Sequence, residues 1–343
     1  MIKIGIICPS EIALRRFLPA LSQLTNFKFV GVAIAVQSEW AGANEEILKT
    51  EKEKARAFPE QFGGKIFDSY SAIIHSPEID AIYLPLPPAL HYQWAKQALL
   101  AGKHLLIEKP ATTSLLETND LIKLAEINNL AVHENYMFAF HNQLNVIHNI
   151  VKSGEIGDVR LFRISFGFPR RAATDFRYNK ALGGGALLDA GGYTIKYASM
   201  LLGETAKIVY AQSSFIDEFE VDISGSAALV NEQGTTVQIA FGMDNSYKCD
   251  LEIWGSKGSM NTGRVLTAPA GFIPEVSITV GNETEIQKLP ADDAFKKSIQ
   301  HFQKCIEDEK VRKKNYDEIT EQAYLVNAFL KGRRWRQSAG IPA

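Results

Sequence analysis

The stretch Lys103-His104-Leu105-Leu106-Ile107-Glu108-Lys109-Pro110 decides how the rest of the chain is read. His104 to Ile107 is a short, nearly apolar run that suits a buried strand. Glu108, Lys109 and Pro110 do not continue it, because Pro110 lacks an N–H and restricts Lys109 to extended backbone. A charged pair therefore stands at the carboxyl end of a strand, the edge at which open α/β sheets bind ligands. Taken alone, the charges read more simply as a solvated turn with a weak surface ion pair. The flanking sequence decides between the two.

On both sides of this stretch, strands and helices alternate. Residues 2–7 and 27–35 are apolar strands, with a helix between them that Ser10 caps and Pro19 should bend. The charged run 45–56 reads as a solvated helix anchored by Phe58 and Phe62. Short strands follow at 66–67 and 80–84, the first with a short helix after it over 70–74. A helix from His91 to Ala101 ends at Gly102, and an amphipathic helix over 114–128 leads into a sixth strand at 130–133. Alternation sustained in this way predicts a doubly wound parallel sheet.

The first strand–helix turn is the expected pyrophosphate site. It reads Cys8-Pro9-Ser10-Glu11-Ile12-Ala13, where the usual fingerprint is Gly-x-Gly-x-x-Gly/Ala. Only Ala13 fits. Cys8 and Ser10 are small enough to let a phosphate approach the helix N-terminus, where free N–H groups favour an anion. The second strand runs into Gln37 and Ser38 without the carboxylate that would hold an NAD ribose. Those two side chains can hydrogen-bond a 2′-phosphate, so the expectation leans to NADP over NAD. Arg15 and Arg16 supply either charge or a solvated helix face.

After His133 the alternation stops, which places a first domain at 1–132 and a second at 133–343. Runs at 159–166, 208–215, 226–230, 236–241 and 249–254 predict a largely antiparallel sheet in an α+β domain. Helices over 295–307 and 317–334 close the chain. Arg170, Arg171 and Arg177 crowd a loop before Gly183-Gly184-Gly185, and the helix beyond, 186–202, carries Asp189, Tyr193 and Lys196 on one face. Gly191-Gly192 in mid-helix costs about 1 kcal/mol per glycine. Either helix–sheet packing or a close ligand would explain that cost.

Composition narrows the function classes. A length of 343 residues suits two domains, and 46% hydrophobic residues supply ample core. The formal net charge of −2 gives no reason to expect nucleic acid as a partner. No apolar run approaches the roughly 20 residues of a membrane span. The start of the chain reads as a strand, not a signal peptide. Three scattered cysteines, Cys8, Cys249 and Cys305, argue for reduced thiols in a cytoplasm, and they lack metal-ligand spacing.

The chain resembles the Gfo/Idh/MocA oxidoreductases over nearly its whole length. The resemblance rests on Glu108-Lys109-Pro110, on Leu84-Pro85-Leu86-Pro87 with His91, and on Phe176-Arg177 followed by Gly183-Gly184-Gly185-Ala186-Leu187-Leu188-Asp189 and Tyr193. Gly154-Glu155-Ile156-Gly157 and Gly255-Ser256-Lys257-Gly258 add to it. It implies a Rossmann domain and an α/β domain on a large open sheet, which often forms a homodimer or homotetramer interface. It also implies NAD(P)-dependent chemistry on sugars or inositols. Tyr193, where many members have His, is similar to the nucleotide-sugar ketoreductases.

On that reading a cofactor hydride reaches the ketone carbon of a nucleotide-linked sugar. Tyr193 protonates the alkoxide while Lys109 stabilises the oxyanion, or Lys109 is the proton donor and Tyr193 positions the substrate. Asp189 binds a sugar hydroxyl or holds Lys109, and Glu108 orients the nicotinamide side, as the resemblance implies. Leu84, Pro85, Leu86 and His91 join the first turn as cofactor contacts. Tyr136, Arg170 and Arg177 are candidate substrate contacts, the arginines because they pair with phosphate in bidentate fashion. Two alternatives are a free-sugar or inositol dehydrogenase of the same family and a non-catalytic cofactor-binding sensor or scaffold.

Overall fold

The computed structural model describes residues 1–40 and 43–337. They form two compact units: residues 1–135 with 295–320, and residues 136–294 with 321 onward. The sequence reading assigns 295–320 to the second domain. In the structure this segment packs with the first, because Tyr316 and Ile319 complete the first unit's apolar core. The expected end of the second domain, 338–343, lies outside the described residues.

The first unit holds six parallel strands: β1 (Ile2–Ile7), β2 (Phe27–Ala33), β3 (Lys65–Phe67), β4 (Ala81–Leu84), β5 (His104–Ile107) and β6 (Val132–Glu134). Their order is β3-β2-β1-β4-β5-β6, so the chain reverses direction across the sheet between β1 and β4. β1, β4 and β5 are apolar nearly throughout because helices cover both faces. The helix Glu45–Phe62 is longer than expected and is not wholly solvated. Glu51 is buried, accepting from the Ala35 N–H at 2.9 Å and the Tyr70 hydroxyl at 2.6 Å. The helix after β1 contains a π turn, Ala13–Phe17, just before Pro19. A wide turn there accommodates the carbonyl that the proline ring displaces.

The second unit is built on nine strands: β7 (Val159–Gly167), β8 (Lys207–Phe215), β9 (Ser224–Val230), β10 (Thr236–Gly242), β11 (Lys248–Gly255), β12 (Gly258–Gly263), β13 (Glu275–Val280), β14 (Glu283–Lys288) and β15 (Arg334–Gln337). Their order is β14-β13-β12-β11-β7-β10-β9-β8-β15. Among the described residues, β10 pairs with β7 and β15 with β8 in parallel, and the other pairs of this sheet are antiparallel. The last helix runs from Glu309 to Gly332, and the expected helical Arg334 is instead the first residue of β15. Among the described residues no helix is long and apolar enough to cross a membrane.

Candidate active site

Buried polar groups hold the turn after β5 from several sides. The Glu108 N–H donates to the Leu84 carbonyl at 3.1 Å. The Glu108 carboxylate accepts from the Tyr83 hydroxyl at 2.6 Å and from Asn135 Nδ2 at 2.7 Å. Burial pushes that carboxyl up, while Tyr83, Asn135 and Lys109 pull it down. The Lys109–Pro110 peptide is cis. Beyond it, the Ala111 N–H donates to the buried carboxylate of Glu134 at 2.7 Å. His91 is fully buried, with Nδ1 2.8 Å from the Pro110 carbonyl and Nε2 2.7 Å from that of Leu86. It thus ties the turn after β4 to the turn after β5. Burial lowers its pKa to about 4, with Lys109 acting in the same sense, so the ring is neutral at pH 7. Lys109 itself is half-buried at the centre of this belt.

The glycine-poor turn after β1 keeps the required backbone shape. Cys8 sits at φ +76°, the left-handed region that glycine adopts without penalty. The Ser10 N–H returns to the Cys8 carbonyl at 2.9 Å, and Ser10 Oγ accepts from the Ala13 N–H at 3.2 Å. Pro9 is buried, Ile12 is half-buried and Glu11 is exposed. A dinucleotide pyrophosphate fits this turn, which is small, capped by a hydroxyl and aimed along a helix N-terminus. Gln37 and Ser38 are exposed beyond β2, and Gln37 Nε2 donates to the Ala43 carbonyl at 2.5 Å. The two nearest carboxylates are occupied by backbone. Glu51 takes Ala35, and Glu39 takes the N–H groups of Val36 at 3.2 Å, Tyr70 at 2.9 Å and Ser71 at 2.8 Å. Both carboxylates are thus already used by backbone N–H groups and are not ready partners for a ribose diol. Leu84, Pro85 and Leu86 are buried at the carboxyl end of β4.

In the second unit the helix carrying Asp189 and Tyr193 opens with a second π turn, Leu187–Gly191, and continues as Gly192–Leu202. The wide turn breaks the regular four-residue register expected between Asp189 and Tyr193. Both glycines are explained by packing. A Cβ on Gly191 would lie 3.0 Å from the Phe241 ring, and one on Gly192 would lie 2.3 Å from the Tyr136 hydroxyl. Tyr136 is buried, and its hydroxyl accepts from Gln322 Nε2 at 3.2 Å. Tyr193 is 9% exposed, its ring set edge-on to Tyr136 at 5.3 Å and to Phe166 at 5.4 Å between centroids. These contacts fix the direction of the phenol.

The loop arginines all meet carboxylates. Arg177 Nε donates to Asp189 at 2.6 Å and its Nη1 to Asp175 at 3.2 Å. Arg170 pairs with Glu218 and lies over the Phe219 ring, and Arg171 lies 3.9 Å from Asp175. The sequence reading missed Tyr83, Glu134 and Asn135. Glu134 is the last residue of β6 and Asn135 follows it, at the carboxyl edge of the sheet that also carries Lys109.

Residues 15–136 match a family model described as an oxidoreductase family with an NAD-binding Rossmann fold, and residues 145–261 match the GFO/IDH/MocA C-terminal domain. The chain is 36% identical over 334 residues to a dTDP-3,4-didehydro-2,6-dideoxy-alpha-D-glucose 3-reductase of Actinomadura kijaniata, covering 97% of this chain and 96% of that one. A protein of the same name from Saccharopolyspora spinosa is 34% identical over 339 residues, covering 97% and 98%. The solved structure of a 3-ketoreductase from Actinomadura kijaniata with NADP and TDP-benzene superposes with a TM-score of 0.89 at 35% identity, covering 98% and 99%.

Proposed function

The chain belongs to the Gfo/Idh/MocA oxidoreductase family, and from that membership we propose that it is an NADPH-dependent 3-ketoreductase of a dTDP-linked deoxy sugar. The observation that carries this reading is likeness to such reductases along nearly the whole of both chains. Solved forms of the Actinomadura kijaniata 3-ketoreductase include one with a lysine changed to alanine and one with a tyrosine changed to phenylalanine. That lysine and tyrosine lie as far apart in their chain as Lys109 and Tyr193 do here.

NADPH, held by the turn after β1 and the carboxyl ends of β4 and β5, supplies the hydride. Lys109 stabilises the negative charge that grows on the carbonyl oxygen, and Tyr193 delivers the proton that makes it a hydroxyl. The aromatic packing around Tyr193 sets the phenol's aim in advance of the reaction. Asp189 receives a sugar hydroxyl, with its carboxylate oriented by Arg177. Arg170 and Arg171 meet the diphosphate by exchanging Glu218 and Asp175 for phosphate oxygens. Gln37 and Ser38 face the 2′-phosphate, since Glu39 and Glu51 are engaged elsewhere. The active unit is a homo-oligomer formed through the outer face of the nine-stranded sheet.

A screen in both directions tests the reading. NADPH oxidation should be rapid with dTDP-3,4-didehydro-2,6-dideoxy-glucose and at least tenfold slower with NADH. Free xylose, glucose and inositols with NADP should give little turnover. Turnover of a free sugar with none of the nucleotide-linked ketone would replace this proposal with a free-sugar dehydrogenase.

A further inference from the structure

A continuous chain of buried polar side chains crosses the first unit behind Glu108. Asn135, 1% exposed, bridges Glu108 to Ser298, whose Oγ is 2.7 Å from Asn135 Oδ1. Ser298 Oγ lies 2.9 Å from His133 Nε2, and His133 Nδ1 lies 3.0 Å from Asn315 Oδ1. Asn315 Nδ2 donates to the Val132 carbonyl, which fixes the direction of its amide. His133, Ser298 and Asn315 are each less than 5% exposed.

Counting donors along this chain leaves one proton to place. Suppose Glu108 is ionised and His133 is neutral. If the Ser298 proton goes to Asn135, Nε2 must donate to Ser298, and Nδ1 then turns a lone pair on the Asn315 oxygen. If the Ser298 proton goes to His133 instead, Asn135 faces either the Glu108 carboxylate or the Ser298 oxygen with its own oxygen. Turning Asn315 over sets its oxygen against the Val132 carbonyl. Within this chain of contacts, each arrangement sets two buried acceptors against each other, at a cost of about 1–3 kcal/mol.

One added proton removes the conflict in two ways. With Glu108 ionised and His133 doubly protonated, donation runs from His133 through Ser298 and Asn135 to Glu108. With Glu108 protonated and His133 neutral, it runs the opposite way, with the Asn135 amide turned over. The two states have the same number of protons and differ by one proton moved from His133 to the Glu108 carboxylate, with the Asn135 amide and the Ser298 hydroxyl turned to match. We propose that Glu108 and His133 hold one proton in common, which makes His133 a positioning residue for the Glu108-Lys109-Pro110 turn.

The surroundings agree with this. Burial pushes the Glu108 carboxyl up, towards keeping a proton. Glu108 is faced by Tyr83 from β4, by Asn135, and by Lys109 from its own turn. His133 is faced by Ser298 and His301 from the helix Ala294–Glu307 and by Asn315 from the helix Glu309–Gly332, with Glu318, Lys304 and Lys314 around His301. His91 makes the contrast. It also faces two acceptors, but Lys109 opposes its charge, and its polar contacts run to carbonyls and not to a carboxylate.

The experiment uses the intact protein with ¹⁵N-labelled histidine rings, together with infrared spectra of the unsubstituted chain and Glu108→Gln. Near neutral pH, either both His133 ring nitrogens carry protons or a protonated-carboxyl band is present that Glu108→Gln removes. In Glu108→Gln the amide takes over the donation to Asn135, so His133 becomes neutral with its proton on Nδ1. A neutral His133 beside an ionised Glu108 in the unsubstituted protein overturns the proposal. So does a doubly protonated His133 in Glu108→Gln. Neither reading depends on turnover, so failure of the reductase assignment would leave this test intact. If that assignment holds, loss of the shared proton at high pH lowers kcat in the unsubstituted enzyme, and Glu108→Gln lacks that limb.

Discussion

Cys8 adopts a backbone conformation that costs most L-residues about 1–2 kcal/mol, and it does so at the turn where a dinucleotide site needs its sharpest bend. Read as letters, the missing glycines look like a lost site. In three dimensions the turn is intact, because a small side chain tolerates the left-handed region where a β-branched one would not. The thiol is not a reactive one: burial and the charge of Glu51 push it well above the usual range. Burial raises Cys249 as well, and Cys305 to about 12. Alkylation of the native protein near pH 7.5 should therefore be slow at all three positions, and fast at all three in denaturant. Fast labelling of native Cys8 would show that the turn opens. Glu51 was misread for a related reason. One carboxylate among the many charges of its helix gives no periodic signal that it turns inward.

At the scale of elements, strands and helices of the parallel sheet followed from hydrophobic runs and their breaks, whereas the π turns did not. Both the helix after β1 and the helix bearing Tyr193 contain one, and neither has a local sequence signature. Gly191 and Gly192 were legible as a cost; only packing against Phe241 and the Tyr136 hydroxyl explains it. The start of the Tyr193 helix also depends on Asp222, which accepts from the Leu187 N–H at 2.7 Å and whose carboxyl burial raises to about 6. A folded-state value above the unfolded one favours the native state below pH 4, and the advantage disappears as pH rises through about 6. Asp222→Asn keeps an acceptor for Leu187 without the buried charge. Its stability relative to the parent should be about 2–3 kcal/mol higher at pH 7, converging towards equality near pH 4. Urea titrations at the two pH values measure this, and a difference independent of pH would contradict it.

For the whole molecule, the structure groups residues 295–320 with 1–135, where the sequence places them in the second domain. A chain that leaves a domain and returns leaves no mark where it re-enters; Tyr316 and Ile319 look like any amphipathic pair until their partners are known. The nine-stranded sheet exposes Trp254 at 55% and Tyr210 at 42%, aromatic residues of the kind that anchor interfaces. Sedimentation should find a dimer or tetramer at micromolar concentration, and Trp254→Asp should shift it towards monomer. A parent chain that is monomeric would remove the sheet face as an interface. The proposed reduction assigns the oxyanion to Lys109 and the proton to Tyr193. Its most direct test is single-turnover oxidation of NADPH by a dTDP-linked 3-keto sugar, comparing the parent with Tyr193→Phe. The expected result is a fall of about 10²–10⁴ in rate with NADPH affinity nearly unchanged; equal rates, or no oxidation by the parent, would contradict it.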